Sequence, residues 1–140
     1  MALFELKKFI SHSGIPLDWK IDCDALTDED LECLAAVGRY LVGEFGRVVP
    51  VPTGGNRFAA AMEHWVTDGS PRTLIVDDVL TRGKSLDATR NALLDQLKEE
   101  RSAAKTWSGQ KIVGLVIFAR AGGAHVPIWA RAIFTLANPL

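Results

Sequence analysis

Apolar residues in the second half of the chain come in unbroken runs separated by amphipathic stretches. "RVVPV" (47–51), "TLIVDD" (73–78), "KIVGLVIFA" (111–119) and "RAIFTL" (131–136) are short, rich in β-branched residues and bounded by Gly, Pro or Asp, and each predicts a strand. Between the first two lies "PTGGN", a tight loop, and then "RFAAAMEHWV" (57–66), a helix. After the second comes a loop, "VLTRGK", and a helix over 85–102 with Leu86, Leu93, Leu94 and Leu97 on one face. Upstream, Thr27 and Asp30 have the spacing of a capping box, followed by Leu31, Leu34, Ala35, Leu41 and Val42 at helical spacing. Residues 3–10 read as a short amphipathic helix, and "SHSGIPLDWKID" (11–22) as a loop entering a short strand. Strands that are apolar throughout, alternating with helices, predict a parallel sheet covered on both faces. In such sheets the ligand crevice lies at the carboxyl ends of the strands. Three strand ends carry unusual residues, "PTGGN", "DDVLTRGKS" and "ARAGG", and the topology sends them to one edge.

Composition narrows the class. With 140 residues, 48% of them hydrophobic, the chain has enough material for one domain with a real core. A net charge of −1 gives no general attraction to nucleic acid or an anionic membrane. No apolar run approaches the ~20 residues of a membrane span, and "MALFELKKFI" lacks the apolar core of a signal peptide. Cys23 and Cys33 form no CxxC and have no histidine cluster beside them, which fits free thiols in a reducing compartment, the cytoplasm.

The chemistry concentrates in "TLIVDDVLTRGKS" (73–85). Asp77 and Asp78 are adjacent, and successive strand residues face opposite ways. Both reach one ligand where the strand ends and the chain turns. Adjacent carboxylates repel unless a cation or donor lies near them, and Mg²⁺ with its waters or sugar hydroxyls would serve. Thr81, Arg82, Gly83, Lys84 and Ser85 then open a helix, where backbone N–H groups gather an anion. The P-loop of NTPases is excluded, because its first glycine falls on Asp78, whose carboxylate would repel phosphate.

Apolar strand, acid pair and phosphate loop together resemble the phosphoribosyl-pyrophosphate (PRPP) signature of the type I phosphoribosyltransferases, with agreement in residue type at thirteen consecutive positions. The resemblance implies an α/β, Rossmann-like fold with a central, mostly parallel sheet and helices on both faces. It implies that Asp77 and Asp78 face the ribose hydroxyls, and Mg²⁺ through water or ribose, while Thr81–Ser85 hold the 5′-phosphate. "PVPTGGN" resembles the family's pyrophosphate loop, assigning that role to Thr53, Gly54, Gly55 and Asn56. A strained or cis non-proline peptide often occurs there. Arg57 and Arg82 are further phosphate candidates.

Thr81 stands where 6-oxopurine enzymes carry an acid, so the resemblance turns toward orotate phosphoribosyltransferases. Their N-terminal segment aligns with residues 9–22 without a gap, through Phe9, Ser13, Gly14, Trp19 and Asp22. Here His12 replaces a lysine and Lys20 an aromatic residue. "GLVIFARAGG" is similar to the strand ending in that family's base-binding arginine, here Arg120. The implied base site is therefore His12, Trp19, Lys20 and Arg120. The implied organisation is a single domain (1–140), with a base-site segment (1–30) and a PRPP-binding core (31–140). PRPP and a nucleobase-like molecule are the implied partners, in a homodimer. One departure is large: the family's catalytic hairpin should precede the PRPP strand, and only "TDGSPR" (67–72) stands there. Transfer to a pyrimidine-like base, non-catalytic PRPP or nucleotide binding, and hydrolysis of a phosphorylated sugar all remain open at this point.

Overall fold

The computed structural model describes residues 2–11, 14, 16–103, 111–120 and 125–136. Four strands, β3 (Arg47–Pro50), β4 (Arg72–Leu80), β5 (Lys111–Ala119) and β6 (Ala130–Thr135), form a wholly parallel sheet in the order β3-β4-β5-β6. Two further strands, β1 (Phe4–Ile10) and β2 (Pro16–Ile21), make a separate antiparallel hairpin.

The predicted apolar runs account for the sheet. In β4, Leu74 and Val76 pack with one buried cluster and Ile75 with another; in β5, Leu115 and Ile117 separate from Val116 in the same way. Helices α1 (Asp28–Val42) and α2 (Asn56–Met62) cover the first face through Leu31, Ala35, Val42, Phe58 and Met62. Helix α3 (Lys84–Ala103) covers the second with Leu86, Leu93 and Leu97. Burial on both faces explains why these strands carry no polar alternation. Gly38 lets α1 settle directly on β5, because a Cβ there would lie 2.6 Å from Leu115 Cδ2. The capping box is present, with Asp30 N–H donating to Thr27 Oγ1 at 3.0 Å and Thr27 N–H to Asp30 Oδ2 at 2.9 Å. Among the described residues, no helix is long and apolar enough to cross a membrane.

Several predicted elements differ. Residues 3–10 are not a helix: Phe4–Ile10 is a strand paired with Pro16–Ile21, with a shift of register between Leu6 and Phe9. Seven residues are too few for periodicity to separate helix from strand, and the partner strand supplies the hydrogen bonds that decide it. Strand β4 continues through both acids to Leu80 instead of ending at Asp78. Leu41 faces solvent and Leu94 is half-buried, so the apolar stripes of α1 and α3 are narrower than predicted. The helix after "PTGGN" ends at Met62 and tightens into a 3₁₀ turn, Glu63–Trp65.

Candidate functional site

Strand β4 carries the acid pair out of the core. Asp77 is only 8% exposed, and its Oδ1 accepts the N–H of Asp78 at 2.8 Å. Asp78 Oδ1 accepts the N–H of Val79 at 2.7 Å. Each carboxylate thus curls onto the backbone that follows it, and both line one cleft of about 1000 Å³ at the carboxyl edge of the sheet. Burial pushes the Asp77 carboxyl well above the usual carboxylate range, and its hydrogen bond to Asp78 and the charge of Asp78 push the same way.

The loop between β3 and α2 closes against this pair. A Cβ on Gly54 would lie 2.8 Å from Asp78 Oδ1, and one on Gly55 would lie 2.4 Å from the Val76 carbonyl oxygen. The loop therefore touches β4 backbone to backbone, which only glycine permits. The Pro52–Thr53 peptide is cis. Thr53 and Gly54 line the cleft, whereas Gly55 is buried beneath it and Asn56 begins α2.

Across the acids, all five residues from Thr81 to Ser85 line the cleft. Gly83 has φ +80°, a left-handed conformation that turns the chain into α3, and its carbonyl accepts the N–H of Asp87 at 2.9 Å. The first turn of α3 thus opens onto the cleft with Lys84 and Ser85 at its rim.

Arg120, at the end of β5, is 5% exposed. Its Nη2 donates to the Trp19 carbonyl at 2.8 Å, and its guanidinium lies 4.0 Å from the centre of the Trp19 ring. Burial lowers its pKa, which marks a charge held out of water. Lys20 and Arg120 line the cleft; Trp19 stands behind Arg120 and offers it its ring. His12 lies outside the described residues, as do Gly122 and Gly123 of "ARAGG".

Phe9, Leu17, Asp22, Cys23, Asp24 and Arg57 also line the cleft, and of these only Arg57 was a sequence candidate. Burial, then the charges of Asp78, Asp22, Asp77 and Asp24, push the Cys23 thiol up to about 12. The thiol is therefore protonated and a poor nucleophile at neutral pH. Its neighbours show the turn after β2 facing β4, a tertiary closeness that only the Asp22 match hinted at.

The connection from α2 to β4 runs at the opposite edge of the sheet. Thr67 N–H donates to the Phe45 carbonyl at 2.8 Å, and Gly46 N–H to the Arg72 carbonyl at 2.8 Å. The Arg72 guanidinium caps the end of α1 through the carbonyls of Val42 and Glu44. This segment is tied down beside the amino ends of β3 and β4, away from the cleft.

No protein-family model matches the sequence, and no curated protein does. Solved structures match in fold. The orotate phosphoribosyltransferase from Aeropyrum pernix superposes with a TM-score of 0.67 at 21% identity, over 95% of this chain and 88% of that one. That of Mycobacterium tuberculosis H37Rv, in complex with Fe(III) dicitrate, gives 0.66 at 19%, over 94% and 88%. The same M. tuberculosis enzyme in complex with PRPP gives 0.59 at 19%, over 82% and 80%. The architecture is thus the α/β, Rossmann-like fold of the type I phosphoribosyltransferases, as the resemblance at residues 73–85 implied.

Proposed function

We propose that the protein is a Mg²⁺-dependent phosphoribosyltransferase that moves the phosphoribosyl group of PRPP to a ring nitrogen of a pyrimidine-like base, with orotate the leading candidate. One observation carries this reading. The acid pair Asp77–Asp78, the Thr53–Gly54 loop and the Thr81–Ser85 loop line a single cleft that has a buried arginine, Arg120, at its other end.

Each part has a task in that reaction. The loop and first turn of α3 bind the 5′-phosphate through N–H groups and the hydroxyls of Thr81 and Ser85. Asp77 and Asp78 accept hydrogen bonds from the ribose hydroxyls and fix C1 in the cleft. Gly54 lets its loop close on Asp78, so that Thr53 and Gly54 offer backbone beside the acids for the pyrophosphate. Arg120 and Lys20 orient the acceptor through its carbonyl or carboxylate oxygens, and Phe9 and Leu17 give its ring an apolar wall. The bond from C1 to the pyrophosphate oxygen breaks, its electron pair leaving on the pyrophosphate, while the lone pair of the acceptor nitrogen bonds to C1 and that nitrogen's proton passes to the departing pyrophosphate. Alignment of the two reactants supplies much of the rate.

Among the described residues, no group of three or more His, Cys, Asp or Glu side chains is arranged to hold a metal ion. The acid pair nevertheless fits Mg²⁺ held through water or ribose oxygens, because a nearby cation offsets the burial and mutual repulsion that oppose Asp77 ionisation. Bound Mg²⁺ would neutralise charge on the leaving pyrophosphate.

A second reading, PRPP or nucleotide binding without turnover, is favoured by the path of residues 66–71. They lie at the far edge of the sheet and cannot cover the cleft, whereas an oxocarbenium-like reaction needs water excluded. A screen of nucleobases with PRPP and Mg²⁺, following pyrophosphate release, separates the two. Base-dependent release supports transfer. Tight PRPP binding with no release for any base supports the second reading, and no PRPP binding overturns both. The proposal extends to a cytoplasmic homodimer, which sedimentation tests for its oligomeric state.

A further inference from the structure

Arg57 lies in the first turn of α2, directly after the Thr53–Asn56 loop. Its Nη2 donates to the Leu26 carbonyl at 2.8 Å and lies 3.0 Å from Asp28 Oδ1, while Nη1 reaches the Cys23 carbonyl at 3.5 Å. These bonds hold the turn between β2 and α1 against α2. The carboxylate partner is a poor anchor, however: the side chain of Asp28 is 95% exposed and that of Arg57 44%. A water-facing pair of this kind contributes little and exchanges readily.

The cleft around it is short of positive charge at one place. The described cations that line it are Lys20, Arg57, Arg82, Lys84 and Arg120. Arg82 and Lys84 belong to the 5′-phosphate loop, and Lys20 and Arg120 to the acceptor end. The loop read as the pyrophosphate site carries no charged side chain, and Gly54 brings it against Asp78. A multiply charged anion there meets a carboxylate, and Arg57 is the one described cation lining the cleft from that side.

From this we infer that Arg57 is the protein's own ligand for the leaving pyrophosphate, drawn off Asp28 when the anion binds. Asp28 then acts as a competitor for the same guanidinium. The inference rests on the PRPP reading above and adds to it a residue with two exchangeable partners. It makes an unusual demand: removing the cation and removing its carboxylate partner must shift pyrophosphate affinity in opposite directions. A guanidinium that served only to hold the turn would be lost either way, with the same sign.

The test is calorimetry on the whole chain with two probes, inorganic pyrophosphate with Mg²⁺, and ribose 5-phosphate, which lacks the pyrophosphate. Arg57→Ala should weaken pyrophosphate about tenfold or more, with ribose 5-phosphate affinity held within about twofold. Asp28→Asn should tighten pyrophosphate by about two- to threefold, the worth of a released surface pair. If Arg57→Ala does not fold, the sign of the Asp28→Asn effect decides. A fall or no change overturns the inference, as does an Arg57→Ala protein that binds pyrophosphate normally. Wild-type protein that binds ribose 5-phosphate but not pyrophosphate overturns the inference and spares the 5′-phosphate reading. Wild type that binds neither overturns both.

Discussion

The half of the cleft proposed to hold the phosphates stands on β4, flanked by β5, and residues Leu74–Val76 and Leu115–Ile117 of these strands are wholly buried. The proposed acceptor half combines Arg120 at the end of β5 with a two-stranded hairpin, β1–β2, whose Leu6 is 88% exposed. The hairpin is attached through the Phe4 ring against Phe118 at 5.6 Å, the packing of Leu3 and Ile21 on the core, and the Arg120 guanidinium on the Trp19 carbonyl and ring. A hairpin of this size is marginal without such support. The difference assigns different jobs. On the proposed reading, phosphates and ribose would meet groups that the core holds in place, while the acceptor would meet Arg120 at the end of β5 together with the more exposed hairpin that packs on it. It follows that the two halves should fail separately.

The largest expected effect breaks the rigid half. Replacing both Asp77 and Asp78 with Asn should reduce Mg²⁺-dependent PRPP affinity by about a hundredfold or more, since each loses a charge-assisted hydrogen bond. The hairpin should be untouched, so near-ultraviolet circular dichroism from Trp19 should be unchanged. Equal affinity in the double variant would falsify the ribose assignment.

Next comes the proposed acceptor end. Arg120→Ala should leave PRPP binding intact and lower acceptor affinity about thirtyfold, near 2 kcal/mol for a lost charged hydrogen-bond donor. The acceptor panel and PRPP are titrated separately. Should both affinities fall together, the division of the cleft into two independently held parts is wrong.

That same division explains what was legible in the residue order. The phosphate half is nearly continuous in sequence: a buried strand must be apolar, and its loop must carry glycine and hydroxyls, so residues 73–85 announce themselves. The hairpin rests on pairing between separate segments and leaves much of its surface in water. Phe4–Ile10 therefore lacks the burial that writes a period into a strand, and a helix was the natural misreading. The extension of β4 past Asp78 through Val79 and Leu80 was hidden for a related reason, since acids signal a strand's end unless the backbone itself satisfies them, as Asp78 and Val79 N–H do here. The cleft-facing position of Cys23 depends on how the β2–α1 turn packs, which no local pattern encodes.

A smaller effect tests the turn that joins β4 to α3. Gly83 sits at φ +80°, where a side chain costs about 1–2 kcal/mol. Gly83→Val should lower stability by that amount in denaturant titration. It should also weaken ribose 5-phosphate binding about tenfold through the displaced N–H groups, while acceptor contacts at Arg120 persist. Wild-type affinity for ribose 5-phosphate would remove the loop from the 5′-phosphate site.

The smallest effect concerns the rigid half without its ligand. Asp77 has a folded-state pKa raised above that of the unfolded chain, mainly by burial and then by Asp78. The folded state therefore holds its proton more tightly than the unfolded state does. Its contribution to stability is fully present below the unfolded value of about 4 and is lost as pH rises toward and through the folded value. At neutral and mildly alkaline pH the unliganded protein carries that loss. Asp77→Asn keeps an oxygen to accept the Asp78 N–H and removes the ionisation, so it should stabilise the protein by about 1 kcal/mol near pH 8, with little difference near pH 4. Melting temperatures of the two proteins measured from pH 4 to pH 9 should diverge as pH rises. Parallel curves would mean that Asp77 ionises as freely in the fold as outside it. Divergence would show that the acid pair is held against its own stability, the condition in which ribose hydroxyls and a cation have most to gain by binding.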